Sequence, residues 1–248
     1  MRRKLIACRW FVAMIVAYCC LFVLCSSALV ICLVTFGYRK HDYFYLVSRG
    51  FGRVYLWMVG VRIEYDQGIP FQGRIPRILT FNHTSQLDLF LMASLMPPGG
   101  VPTIKYEMMY VPILGQLLWL FGSVVINRGN SESAHASLAK GANRIRSERL
   151  TVGISPEGTR ARDGKLAKFK KGTFHLAKSA QVNVQRLVFF GPTVLQPMGQ
   201  WFVSPGVIRV KLLPEMRMPN QNDTAEDWTT ELRSAFVDVL GVEEEKTL

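Results

Sequence analysis

The chain has 248 residues, enough for one sizeable domain with an appendage, and 49% of them are hydrophobic. Thirty basic residues against 18 acidic ones give a formal charge of +12. No dense basic stripe with interleaved aromatics and no nucleic-acid module accompanies that charge, so it argues for work at a membrane surface and against nucleic-acid binding.

The charge is divided unevenly. The first 40 residues hold six basic residues and no acids, and the remainder holds 24 basic and 18 acidic residues. No charge falls between Arg9 and Arg39. Positions 11–36 form an apolar run of 26 residues, interrupted only by hydroxyl residues such as Ser26, Ser27 and Thr35. A helix needs roughly 20 residues to cross the hydrocarbon core of a bilayer, so residues 1–40 are expected to anchor the chain in a membrane. A core helix of this length would be unusually uniform. A secretory signal has Arg2, Arg3, Lys4 and the small residues Ser26, Ser27 and Ala28 in its favour, but the apolar run continues past them from Leu29 to Val34. Basic residues flank both ends, so the positive-inside comparison is close to a tie. Both a single crossing and a hairpin that returns near Ser26 and Ser27 satisfy the sequence. Residues 41–58 alternate aromatic and apolar positions with Arg49 and Arg53, as in an interfacial helix or one that covers part of the following domain.

All five cysteines, Cys8, Cys19, Cys20, Cys25 and Cys32, lie in or beside the anchor. The rest of the chain therefore offers no disulfide framework, thiolate nucleophile or cysteine metal site.

Residues 59–65 alternate around Arg62 and Glu64, which predicts an edge or half-exposed strand. A Gly- and Pro-rich turn region follows as far as Pro76. Residues 77–81 read as a strand, residues 82–85 as a polar break, and residues 87–96 as a helix ended by Pro97, Pro98, Gly99 and Gly100. The passage 108–121 is apolar but short for a span and contains Pro112 and Gly115, which favours a buried or interface-facing segment. Strand signals at 124–126, 151–154 and 187–190 alternate with a helical stripe of Ala134, Leu138, Ala142 and Ile145. This order predicts an α/β fold with a mixed or largely parallel sheet surrounded by helices, preceded by the anchoring helix or hairpin. The expected catalytic domain spans 59–220. Thr224 and Asp227 then open a C-terminal helix carrying Trp228, Leu232, Phe236 and Leu240 on one stripe, and an acidic tail completes 221–248.

Four polar islands carry the chemistry. In Asn82-His83-Thr84-Ser85-Gln86-Leu87-Asp88, two residues five apart on one helix would point about 140° apart. Pairing His83 with Asp88 therefore requires the histidine in the turn and the aspartate in the helix. Asp88 then fixes one ring nitrogen as a donor and leaves the other to take a hydroxyl proton, which an alcohol needs before it attacks. Ser85 as a hydrolase nucleophile is the alternative, but it lacks the Gly-x-Ser-x-Gly elbow and a third partner. The second island, Gly122 to Arg128, leads a short strand to an arginine that is otherwise an ordinary surface residue. In the third, Ser155-Pro156-Glu157-Gly158-Thr159-Arg160, Gly158 allows close backbone approach and Arg160 offers a two-pronged donor for phosphate. Glu157 is free to orient Arg128, Arg160 or substrate hydroxyls. Lys165, Lys168, Lys170 and Lys171 form the fourth, either solvated or steering a phosphorylated ligand.

From position 51 to 214 these islands resemble, in order, the motifs of the PlsC-like glycerophosphate and lysophosphatidate acyltransferases. His83 to Asp88 looks like the family's His-x4-Asp motif. Gly122 to Arg128 and Glu157-Gly158-Thr159-Arg160 resemble its second and third, and Phe169-Lys170-Lys171-Gly172 its following basic segment. Lys105 and Glu107 look like its linker. The fourth motif departs: Asn183 and Arg186 stand where the family's valine-proline-rich strand has prolines. The resemblance implies His83 and Asp88 as catalytic residues, Arg128, Glu157, Gly158, Thr159 and Arg160 around the acceptor phosphate, and Lys105, Lys170 and Lys171 as accessory contacts. It also implies acyl-CoA or acyl carrier protein as donor, no cofactor and no metal. The acceptor would be a lysophospholipid in the bilayer, foremost 1-acylglycerol 3-phosphate giving phosphatidate. The expected location is a membrane, the bacterial inner membrane with the catalytic domain facing the cytoplasm. An acyltransferase for another lysolipid such as lyso-ornithine lipid, a thioester hydrolase, and a noncatalytic anionic-lipid-binding protein are the alternatives.

Overall fold

All five residues from Arg77 to Phe81 are buried, and the neighbours Ile78 and Leu79 enter different apolar clusters, as a strand covered on both faces requires. This strand, β2, sits at the centre of a seven-stranded sheet in the computed structural model, which describes residues 2–37, 40–68, 71, 73–127, 131–160 and 166–245. The other strands are β1 (Val61–Tyr65), β3 (Gly100–Lys105), β4 (Val124–Ile126), β5 (Thr151–Ile154), β6 (Val184–Phe190) and β7 (Gly206–Met216). Their order is β1-β7-β6-β2-β5-β3-β4, and every neighbouring pair is parallel except β6 with β7. The sheet is thus mixed and mostly parallel, with β1 at an edge as its alternating pattern predicts.

Two apolar layers cover it. One face packs against α5 (Ser131–Ser147), α6 (Gly172–Ala180) and α8 (Ala225–Glu245). The expected stripe on α8 is the buried one, with Trp228, Leu232 and Phe236 at 2% exposure or less and Leu240 packed beside them. Complete burial of an aliphatic or aromatic side chain contributes about 1.5–3 kcal/mol, which fastens α8 to the sheet. Thr224 and Asp227 cap it: the Asp227 amide donates to Thr224 Oγ1 at 3.1 Å. The opposite face carries α2 (Lys40–Val59) and α3 (Leu87–Leu95). The two helices touch at Gly52, where an added Cβ would lie 2.5 Å from the Phe90 carbonyl and 2.6 Å from the Ser94 amide nitrogen. Only glycine permits that approach.

Of the two courses open to the N-terminal segment, a single crossing or a hairpin returning near Ser26 and Ser27, the chain does not take the return at the serines. α1 (Arg2–Val34) continues unbroken through Ser26 and Ser27, whose hydroxyls donate back to the Phe22 and Val23 carbonyls at 3.0 and 2.8 Å. These bonds satisfy the hydroxyls inside the helix, so the chain has no reason to leave it there. The reversal comes at residues 35–37, where Phe36 and Gly37 take φ of 51° and 75°. α2 then returns along α1. Arg9 donates to the Trp57 and Met58 carbonyls at the end of α2, closing groups that the helix itself leaves open. Ala13, Ala17 and Ala28 are buried on the inner side of α1, while Phe11, Ile15, Phe22, Val30 and Leu33 are exposed on the outer. Among the described residues this is the one helix long and apolar enough to cross a membrane.

Three elements had no reading in sequence. β3 contains Pro102, and proline breaks a strand pattern. It is accommodated because β4 pairs only from Thr103 onward, leaving one side of Pro102 without a ladder partner. α6 is a short helix beginning at Gly172. β7 follows a loop that contains α7 (Pro192–Leu195). The passage 108–121 becomes a 3-10 turn at Tyr106–Tyr110 followed by α4 (Leu114–Leu120), with Tyr110 and Trp119 exposed at 70% and 66%.

Candidate active site

The parallel strands β2, β3, β4 and β5 end on one edge of the sheet, the edge at which open α/β sheets gather ligands. His83 follows β2, Lys105 ends β3, and Glu157 to Arg160 follow β5. Arg128 and Lys165 lie outside the described residues.

The turn after β2 is pinned before it reaches the histidine. Asn82 is 2% exposed; its amide donates to the Phe189 carbonyl at 3.0 Å and its oxygen accepts from the Phe189 amide at 2.8 Å. His83 then stands outside α3, and its Nδ1 lies 3.0 Å from Asp88 Oδ2. The same oxygen accepts from the Thr84 and Ser85 amides at 2.7 and 2.8 Å. Asp88 is fully buried in the first turn of α3, reaching back past the helix start to the turn that precedes it. One carboxylate therefore both closes the turn that leads into the helix and fixes the ring. Its position makes Nδ1 the donor and Nε2 the free acceptor, and the side chain of His83 keeps 19% of its surface open. Ser85 is committed elsewhere: its hydroxyl donates to the Gln196 carbonyl at 3.0 Å and accepts from the Leu87 amide at 3.3 Å. That leaves it unsuited to act as a nucleophile for His83.

Glu157 is 1% exposed, and its two oxygens accept from the His83 amide at 2.7 Å and the Ala167 amide at 2.9 Å. Among the described residues it makes no hydrogen bond to Arg160, and its two oxygens form a brace between two backbone segments, a role the sequence did not suggest. Burial pushes its carboxyl pKa upward, against the two amide donors that favour the charged form. Gly158 has a φ of +74°, which turns the chain immediately after the brace. Thr159 is exposed and Arg160 half-buried. Lys105 and Lys170 are exposed, and Lys171 is engaged with Glu226 of α8 at 2.6 Å.

The atypical fourth motif lies away from this edge at its start. Asn183 precedes β6 and its side chain accepts from the Met218 amide at 3.0 Å. Arg186 donates to the Pro214 carbonyl at 2.6 and 3.0 Å. Both side chains stitch β6 to the β7 end of the chain across a register shift between Val184 and Arg186. Asn82, the Ala167 amide and the Gln196 carbonyl are parts of the site to which sequence reasoning gave no role. A polar residue at the end of a wholly buried strand was the available signal for Asn82; the two backbone groups had none.

This geometry is that of a partly open histidine ring held by a buried acid at the edge of an α/β sheet. A family profile described as Acyltransferase matches residues 62–190. A Homo sapiens "1-acyl-sn-glycerol-3-phosphate acyltransferase beta" is 31% identical over 218 residues, 88% of this chain and 77% of that protein. A Limnanthes douglasii 1-acyl-sn-glycerol-3-phosphate acyltransferase is 31% identical over 189 residues, 76% of this chain. The chain spans 64% of the length of that plant relative. The crystal structure of a 1-acyl-sn-glycerophosphate acyltransferase, PlsC, from Thermotoga maritima superposes with a TM-score of 0.69 at 20% identity, covering 92% of this chain and 95% of that one, a likeness of fold. The chain belongs to the PlsC-like acyltransferase family.

Proposed function

We propose that this protein moves a fatty acyl group from acyl-CoA or acyl carrier protein to the free hydroxyl of a lysophospholipid, with 1-acylglycerol 3-phosphate as acceptor and phosphatidate as product. The observation that carries the reading is the His83 ring, tied at Nδ1 to a fully buried Asp88 and open at Nε2. His83 Nε2 accepts the acceptor hydroxyl proton as that oxygen attacks the thioester carbonyl. Asp88 holds the ring and offsets the charge that develops on it. The tetrahedral adduct then expels the thiolate, which takes the proton back from the imidazolium and leaves as CoA or carrier thiol. No covalent acyl-enzyme is needed. Arg160 and Arg128 bind the acceptor phosphate, with the Gly158-Thr159 turn beside them, while Glu157 braces the His83 backbone. Lys105 and Lys170 meet the phosphorylated portion of donor or acceptor.

Residues 1–40 serve as the membrane anchor and residues 59–220 as the acyltransferase unit, working at the cytoplasmic face of a bacterial inner membrane. The run of apolar residues exposed along α1 supports the anchor. Purified protein assayed with a panel of lysolipids, each with acyl-CoA and with acyl carrier protein, tests the proposal. Phosphate-bearing acceptors are expected to react fastest, and Arg160→Ala to raise their KM by roughly tenfold to a hundredfold, the worth of a charge-assisted contact. Faster turnover of a phosphate-free lysolipid would remove the arginine assignment, and acyl release without an acceptor would point to a hydrolase.

A further inference from the structure

Arg233 is on α8, outside the matched family region and far along the chain from His83. Its guanidinium donates to two successive backbone carbonyls, those of Leu166 and Ala167, at 3.2 and 3.3 Å. Ala167 is also the residue whose amide donates to Glu157 at 2.9 Å, and the other Glu157 oxygen accepts from the His83 amide at 2.7 Å. A continuous chain of polar contacts therefore runs from α8 to the backbone of the histidine: Arg233, the Ala167 peptide, Glu157, His83.

The segment 166–171 is held at further points. The Lys170 amide donates to the Pro156 carbonyl at 2.7 Å, next to Glu157 itself. Phe169 packs its ring against Phe236 of α8 with centroids 5.4 Å apart, and Lys171 pairs with Glu226 at 2.6 Å. Described residues 166–170 form no helix or strand of their own, so these tethers set their position. Among them, Arg233 alone acts on the same residue that meets Glu157, and it does so with a rigid planar donor that spans two carbonyls.

We propose that Arg233 is a positioning residue for the acyl-transfer reaction: by fixing the Ala167 peptide it holds Glu157, and through Glu157 the backbone of His83, in register. This rests on the reading of His83 as the base. With Arg233 removed, the Ala167 amide drifts from a buried carboxylate that needs both of its donors. Glu157 then loses one of the groups favouring its charged form, and the His83 turn loses its fixed partner.

Three proteins test this: Arg233→Ala, Arg233→Lys and the unaltered chain. In the alanine variant, hydrogen exchange at the Ala167 and His83 amides is expected to accelerate. The kcat is expected to fall roughly tenfold, a fraction of the roughly hundredfold that a 1 Å misplacement of reacting groups can cost, while acceptor KM changes less than about twofold. The acid limb of the pH profile should move upward as Glu157 becomes harder to ionise. Lysine, which can still meet one carbonyl, should restore most of the turnover. Unchanged exchange at Ala167 overturns the contact chain. A kcat and pH profile that stay put despite faster exchange overturn the positioning role. Activity loss that merely follows the loss of folded protein, without lysine rescue, overturns it as well. Failure of the His83 reading itself shows differently, as normal turnover in His83→Ala.

Discussion

Among the described residues there are two histidine-carboxylate pairs, and their contrast separates the geometry proposed for catalysis from a structural one. His83 and Asp88 meet at 3.0 Å across five positions of sequence; His41 and Glu148 meet at 2.8 Å across 107. At the first pair the acid is fully buried and the ring partly open. At the second the ring is buried, its Nδ1 has no partner, and the acid keeps 31% of its side-chain surface exposed. Glu148 is also gripped by Arg144, at 2.7 and 3.1 Å, and Arg144 reaches on to the Gly122 carbonyl at 2.5 Å. The result is a clasp joining the start of α2 to α5 and the entry to β4. Burial outweighs the attraction of Glu148 and lowers the His41 pKa, while Arg144 drives the Glu148 pKa down to about 2. A nearby carboxylate is not enough to make a base: the ring also needs an open nitrogen.

Breaking each pair in turn tests the contrast. His83→Ala is expected to lower acyl-transfer turnover by about 10²–10⁴-fold, the usual contribution of a general base. His41→Ala should leave turnover per folded molecule within about twofold of the unaltered chain, since general-base catalysis needs a ring nitrogen within reach of the substrate. Equal losses in the two variants would end the distinction. Asp88→Asn should follow with a loss of about a hundredfold, because the amide no longer holds the ring in the same tautomer. Glu148→Gln should leave turnover unchanged and cost ~1 kcal/mol of stability in a denaturant titration, an amount discounted for solvent screening of a partly exposed group.

The smallest effect lies in pH. A carboxyl whose folded pKa is lowered from 4.5 to about 2 contributes stability that is fully present above about 4.5 and is lost as the pH falls toward about 2. The lowered pKa of His41 acts in the same direction below 6.5, since the unfolded chain takes up the proton more readily. Acid unfolding followed by circular dichroism should therefore show a shallower loss between pH 4.5 and 2 in Glu148→Gln than in the parent chain. An identical curve would mean that the clasp contributes nothing.

The His83-Asp88 pair was legible because both partners sit in one short island and a helix period decides which of them must leave the helix. The clasp was not legible, since nothing in the local pattern around His41 points to a residue 107 positions away. Glu157 shows the same limit within the site. Its residue type and its place after a strand marked it as important, but its partners among the described residues are two backbone amides, which have no sequence signature. The fold followed a similar rule. Strands β2, β4 and β5 were read as short apolar runs and the α8 stripe from its helical spacing, whereas β3 hid behind Pro102 and a return at Ser26 and Ser27 stayed open beside a single crossing. Hydroxyls resembled a break at Ser26 and Ser27, but a helix can absorb them through its own carbonyls.

The contact at Gly52 gives the molecule a mechanical tolerance. α2 touches the backbone of α3 there with no room for a single carbon atom, and Asp88 lies within a turn of that contact on α3. A displacement of α2 toward α3 is consequently passed to the helix that carries Asp88, and with it to the carboxylate that holds the His83 ring.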